Sequence, residues 1–209
     1  MLTHLTIQQF LTELAKGSAT PGGGSAAGLA GAQGAALLSM VCNLTIGRKK
    51  YAEVEESMQA ALDRAERLRL RLTELIEEDT RAFDSVMAAY KLPKETPEQK
   101  AARSAAIQAG LKEATRTPME TLESCVAVLE LAPDVVGKGN PNVISDGGAG
   151  VLSAHTGMMI AALNVRINLN AIKDKAFVAE QNARMDALIA RGDAAKEAAW
   201  DTVAQRLGM

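Results

Sequence analysis

Aromatic side chains make up only 3% of the 209 residues, and cysteine and histidine occur just twice each. So few aromatics beside 47% apolar residues argue against a β-rich fold, whose strands draw on aromatic and β-branched side chains. No segment reads as strand. Cys42 and Cys125 sit in apolar helical stretches and complete no metal-ligand spacing with His4 and His155, so neither a disulfide nor a metal site is expected. A formal net charge of −2 offers no basic field to nucleic acid or an anionic membrane, and Arg48-Lys49-Lys50 is too short a run to create one. The N-terminus lacks the apolar stretch of a signal peptide, which makes a cytoplasmic location the default expectation.

What the chain does have is small residues in helical surroundings. Thr20-Pro21-Gly22-Gly23-Gly24-Ser25 is a tight turn whose backbone a ligand can approach closely, since no Cβ intervenes. Behind it runs a helix from about Ala26 to Ile46 that is small or apolar on nearly every face, and must be surrounded by other helices or by a partner subunit. Its Gly, Ser, Gln and Asn residues make it a poor membrane span. The turn is not a P-loop, because no Lys-Ser/Thr follows the glycines, and no strand precedes it. It reads equally as a ligand-binding turn or a packing turn.

The rest follows as a single all-α domain over residues 1–209. Thr6 caps a first helix, and a long helix spans about Glu53 to Tyr90 with apolar residues recurring every three or four positions. Asp79 interrupts that stripe, three residues after Ile76 and four before Phe83, which places a carboxylate on the core-facing side. A buried carboxylate is costly, so it demands a hydrogen-bond partner or a function. Thr96-Pro97-Glu98 starts another helix, and Pro118 kinks it or begins the next. Ser145 or Asp146 is expected to cap a second small-residue helix, about 149–171, in which Asn164 and Asn168 share one face and read as structurally satisfied amides. Two packing helices, about 174–191 and 194–207, are expected to meet at Gly192-Asp193. The two glycine-bearing turns, at Gly22–Gly24 and Asp146–Gly148, are expected to converge at one end of the bundle.

The segments PGGGSAAGLAGAQGAALLSMVCNLTIGRKKY, EEDTRAFDSVMAAYKLPK, KGNPNVISDGGAGVL and ALNVRINL, in this order, resemble the cyclodeaminase/cyclohydrolase family of folate enzymes. These occur as the C-terminal half of bifunctional formiminotransferase-cyclodeaminases and as small stand-alone proteins. The resemblance covers nearly the whole chain and implies an all-helical homodimer, with folate bound near the subunit interface and neither metal nor cofactor. The implied reaction is reversible hydrolysis of 5,10-methenyltetrahydrofolate to 10-formyltetrahydrofolate. Cyclodeamination of 5-formiminotetrahydrofolate is the close alternative, and a non-catalytic metabolite-binding or interaction module is the alternative of another class.

On this reading Asp79 is the first choice for the base that takes a proton from water. Asp146 is the second choice, or else pairs with the pterin's amino edge. Lys49 or Lys50 donates to the intermediate or holds a glutamate-tail carboxylate. Pro21, Gly22, Gly23, Gly24 and Ser25 press on the pterin, Asn43 and Asn142 add polar contacts, and Tyr51 either covers the ligand or packs.

Overall fold

The computed structural model describes all 209 residues and contains helices but no strand. Seven α-helices form a bundle: α1 (Ile7–Leu14), α2 (Gly23–Asn43), α3 (Glu55–Tyr90), α4 (Pro97–Ala114), α5 (Arg116–Lys138), α6 (Ile144–Ala171) and α7 (Lys175–Leu207). Short 3-10 turns precede α1, α3 and α6. The starts of α1 and α4 are set locally. Thr6 and Thr96 each accept from the backbone N–H three residues on, while Gln9 and Gln99 reach back to the capping residue's own N–H.

At the centre α2 and α6 cross antiparallel, backbone against backbone. A Cβ on Gly34 would lie 2.8 Å from the Ala154 Cβ and from the Gly150 carbonyl oxygen, and one on Gly157 would lie 2.8 Å from the Gly31 nitrogen. Side chains are excluded from this seam, which is why both helices are built from glycine, alanine and serine. α3 runs antiparallel along the other flank of α2, α5 lies behind the α2–α6 pair, and α7 lies over α5 and α6. Leu38, Leu72, Leu75, Leu122, Met158 and Met185 are fully buried where these helices meet. Both α2 and α6 are long and apolar enough to pass as membrane spans by composition, with mean hydropathy of 1.4 and 1.2. Much of that apolar surface is used inside the bundle instead.

Several boundaries depart from the sequence expectation. α2 begins at Gly23, so Gly24 and Ser25 belong to its first turn. α6 begins at Ile144, which puts Ser145 and Asp146 inside its first turn and makes neither a cap. Pro118 lies in the first turn of α5, where a missing N–H leaves no bond unmade. The two C-terminal helices are one, because Gly192 does not break α7. A Cβ there would fall 2.2 Å from the Met158 sulfur, so Gly192 is a packing notch, and Asp193 beside it meets His155 at 2.9 Å.

The two glycine-bearing turns do not converge. Gly23 lies against Asn164 and Gly147 lies near Val41, so the turns occupy opposite ends of the antiparallel pair. Over the 21 residues of α2 that is a separation of about 30 Å.

The seam gives a direct test. Gly157→Ala gains about 1 kcal/mol of helix propensity, but its Cβ meets backbone atoms of α2, which no rotamer change relieves. Overpacking costs of about 1–3 kcal/mol outweigh the gain, so the variant is expected to lower the urea midpoint; an unchanged or higher midpoint contradicts the tight crossing.

Candidate active site

The N-terminal turn of α2 and the middle of α3 build one recess. Antiparallel packing places Gly24 directly against Asp79, and a Cβ at Gly24 would fall 1.9 Å from Asp79 Oδ1. Any side chain there displaces the carboxylate, so glycine at 24 is a condition of the site. Ser25, fully buried in the same turn, has a hydroxyl shared between the Ile76 carbonyl and Asp79 Oδ2, at 3.2 Å each. The serine thus orients the carboxylate while keeping its own oxygen satisfied in the core.

Asp79 is half-buried and faces a cleft of about 350 Å³. Burial pushes its pKa above the ordinary carboxylate value of 3.8, and hydrogen bonds from the Ser25 hydroxyl and backbone N–H pull partly the other way. Desolvation prevails, leaving a carboxylate more basic than one in water.

The cleft is walled by the Gly22–Gly24 backbone, by Phe83, Met87 and Tyr90 farther along α3, and by Pro118. Phe83 and Tyr90 fall on the apolar stripe of α3, yet they are 37% and 42% exposed because they face this opening and not the core. Asn164 and Asn168 of α6 complete the lining, and Asp79 supplies its only charge. The site therefore suits a flat, partly apolar group that is positively charged or rich in hydrogen-bond donors. Its volume is near the lower end of the roughly 300–1,000 Å³ typical of small-molecule sites.

The remaining residues singled out in the sequence lie at the opposite end of α2 and α6. Asn43 ends α2, and Lys49 and Lys50 sit exposed in the 3-10 turn Lys49–Val54. The Lys50 ammonium stands 5.4 Å from the centre of the Tyr51 ring. Tyr51 donates at 3.0 Å to Asn140 Oδ1, which also accepts from the Asn142 N–H at 3.1 Å. Asp146 follows one turn later at the start of α6. These groups form a second polar cluster that does not reach Asp79 within one chain. Of the sequence candidates, the structure groups Gly22, Gly23, Gly24 and Ser25 with Asp79, while Pro21 is buried just beneath the turn.

The α6 asparagines are satisfied by backbone carbonyls, as the sequence predicts, and both also line the cleft. Two amides at i and i+4 in an otherwise apolar helix mark a face that meets something polar, and here that is the cleft.

A bundle with a basic carboxylate under a glycine turn defines a class of all-α protein built to hold a cationic or donor-rich small molecule. Comparison with known proteins narrows the class. Residues 6–187 match the formiminotransferase-cyclodeaminase family model. A methenyltetrahydrofolate cyclohydrolase of Methylorubrum extorquens is 50% identical over 207 residues, covering 99% of this chain and all of that protein. The formimidoyltransferase-cyclodeaminase of Sus scrofa is 35% identical over 188 residues, which are 90% of this chain but only 35% of the pig protein. Among solved structures, a formiminotetrahydrofolate cyclodeaminase from Thermotoga maritima superimposes with a TM-score of 0.83 at 29% identity, covering all of this chain and 98% of that one. The chain belongs to the formiminotransferase-cyclodeaminase family.

The raised pKa of Asp79 fixes the sign of a stability effect. The native state binds the Asp79 proton more tightly than the unfolded chain, so stability falls as pH rises from 3.8 through the elevated native value. Asp79→Asn removes that cost, and is expected to melt above wild type at pH 7, with the gap closing below about pH 4, where the wild-type group is neutral too. Thermal unfolding at both pH values checks this; a variant less stable at pH 7 contradicts it.

Proposed function

We propose that this protein hydrolyses 5,10-methenyltetrahydrofolate to 10-formyltetrahydrofolate, and runs the reverse reaction. One observation carries the reading. The end-to-end relative at 50% identity is a methenyltetrahydrofolate cyclohydrolase, and this chain holds an anionic, cation-free cleft that suits its substrate.

The methenyl carbon lies between two nitrogens and shares a positive charge with them, so it is already electrophilic. Asp79 draws that cation into the cleft and stands ready as general base. Water adds to the carbon as one of its protons passes to Asp79, giving a neutral carbinolamine. Asp79 returns the proton to N5 as the carbon–N5 bond breaks. The hydroxyl proton leaves to solvent, and the formyl group stays on N10. The flat ring system rests on the Gly22–Gly24 backbone. Ser25 holds the carboxylate in place through the bond described above.

The protein acts as a homodimer in this reading. α6 carries Leu152, Met159, Leu163 and Ile167 on one face at spacings of seven, four and four, with Leu163 69% and Ile167 64% exposed. Such a stripe is a self-complementary surface for two-fold packing. Its midpoint is near Met159, so an antiparallel copy brings its own Asp146 end toward the end of α6 that bears Asn164 and Asn168. The second polar cluster, remote within one chain, then completes the first across the interface. The partner subunit's Asp146 reaches the pterin edge or the proton-transfer path, and the partner's Lys49 or the partner's Lys50 supplies the cation that the cleft lacks.

Two experiments test this. The methenyl species absorbs light that neither its formyl product nor the formimino compound shares, so each substrate is followed optically. Hydrolysis is expected to bleach supplied methenyltetrahydrofolate, and Asp79→Asn to slow it by 10²–10⁴-fold. Appearance of the chromophore from 5-formiminotetrahydrofolate, without hydrolysis, would instead assign cyclodeamination. A folded Asp79→Asn protein at full turnover would remove the carboxylate from the chemistry.

The composite site is tested by mixing. Asp79→Asn and Asp146→Asn homodimers are each expected to be inactive, whereas subunit exchange between equal amounts makes about half the dimers mixed, each with one intact site. Recovery to about a quarter of wild-type activity is expected; no recovery after demonstrated exchange places both carboxylates in one chain's site.

A further inference from the structure

Asn164 and Asn168 look alike in the sequence but are tied down differently. The Asn164 Nδ2 donates at 2.8 Å to the Ile160 carbonyl one turn back on α6, and the Asn168 Nδ2 donates at 3.2 Å to the Ala114 carbonyl at the end of α4. A backbone carbonyl can only accept, so each amide must turn its nitrogen toward that carbonyl. The Oδ1 atoms are thereby left without a protein donor, on residues that line the cleft. Of the two, Asn164 sits beside the glycine turn, its Nδ2 3.3 Å and its Oδ1 3.6 Å from where a Gly23 Cβ would stand, while Asp79 stands against the next residue, Gly24. Consecutive residues of one helical turn thus abut the two acceptor-bearing side chains, one from α6 and one from α3.

We propose that Asn164 Oδ1 is the second acceptor for the attacking water, an assignment that rests on the hydrolytic reading above. A water that adds to a cationic carbon must lose one proton and hold the other aside, so that a lone pair points at the carbon. Asp79 accepts the first hydrogen. The Asn164 oxygen, a neutral acceptor that cannot be protonated at this pH, holds the second without removing it. The oxygen–carbon bond forms, one proton is on Asp79, and the other remains on the carbinolamine hydroxyl against Asn164 until the carbon–N5 bond breaks. Two carboxylates could not share this task cheaply, since each would raise the other's pKa. An amide pinned by its own helix supplies the acceptor already oriented, with no charge to desolvate. The tether to Ile160 is therefore what turns a structurally satisfied asparagine into a reacting-atom contact.

Wild-type turnover of methenyltetrahydrofolate is measured first; its absence overturns the hydrolytic reading itself, and the role of Asn164 with it. Given an active wild type, Asn164→Ala is expected to lower kcat by 30- to 100-fold while KM, and the Kd for folic acid, which has no methenyl carbon to attack, stay within about threefold. An unchanged kcat, or a rise in KM and folic acid Kd as large as the fall in kcat, overturns the assignment and leaves only that, with hydrolysis still standing. If the alanine variant does not fold, Asn164→Leu keeps the volume without an acceptor oxygen. A folded Asn164→Leu enzyme slowed by about tenfold or more with folic acid binding within about threefold of wild type supports the role, and one slowed less than that overturns it.

Discussion

Everything in this molecule depends on how closely α2 approaches its two neighbours. Against α6 the closest approach is made by glycine and alanine, with no room for a larger side chain at Gly34 or Gly157. Against α3 the same helix presents Gly24, Gly28 and Gly31 to Asp79, Ile76 and Leu72. A helix that narrow brings the first-turn N–H groups of α2 and a carboxylate from the middle of α3 into direct contact. The two faces are coupled: shifting α2 away from α6 to relieve a clash at Gly34 or Gly157 presses it toward α3, where Gly24 already stands against Asp79. Fold and site are therefore one constraint seen from two ends of a helix.

The electrostatics follow from that placement. A helix N-terminus favours a carboxylate, and on its own would hold the pKa of Asp79 down. The apolar wall of Phe83, Val86 and Met87 does the opposite by keeping water away, and it prevails. The balance matters chemically. A fully solvated aspartate is too weak a base, and a fully buried one stays protonated and cannot attract a cation. Burial on one side, with an open cleft on the other, raises the basicity of the group while leaving it reachable, which suits the general-base chemistry proposed for an amidinium carbon.

The sequence made the helical class and the core-side carboxylate of Asp79 legible, because each is written locally. Asp79 breaks an apolar stripe, the triple glycine breaks a helix, and Thr96-Pro97 announces one. What was not legible depends on partners distant in sequence. Gly192 looks like a joint, and only the Met158 sulfur packed against it shows that it is a notch in a continuous helix. Ser145 and Asp146 look like caps, but the 3-10 turn at Pro141–Val143 starts α6 before them. Phe83 and Tyr90 keep the core period, yet α3 runs past the end of α2, so they border a cleft. The convergence of the two glycine-bearing turns failed for a plain reason: α2 and α6 pack antiparallel, so their similar starts point apart.

That failure also explains why the family's residues are spread as they are. Within one chain the Asp79 recess has no cation, and the Lys49–Asp146 cluster has no comparable cleft. Each is half of what the proposed reaction asks for: an anion for the reactive carbon in one, and donors or cations for the tail and pterin edge in the other. A two-fold axis perpendicular to α6 at the exposed apolar stripe would reverse the direction of that helix and pair its unlike ends. In the proposed dimer, an antiparallel core helix with a different half-site at each end is completed by its own copy, twice over. The stripe of Leu152, Met159, Leu163 and Ile167 lies on the helix that carries both Asp146 and Asn164, so the proposed assembly and the proposed chemistry draw on the same 28 residues.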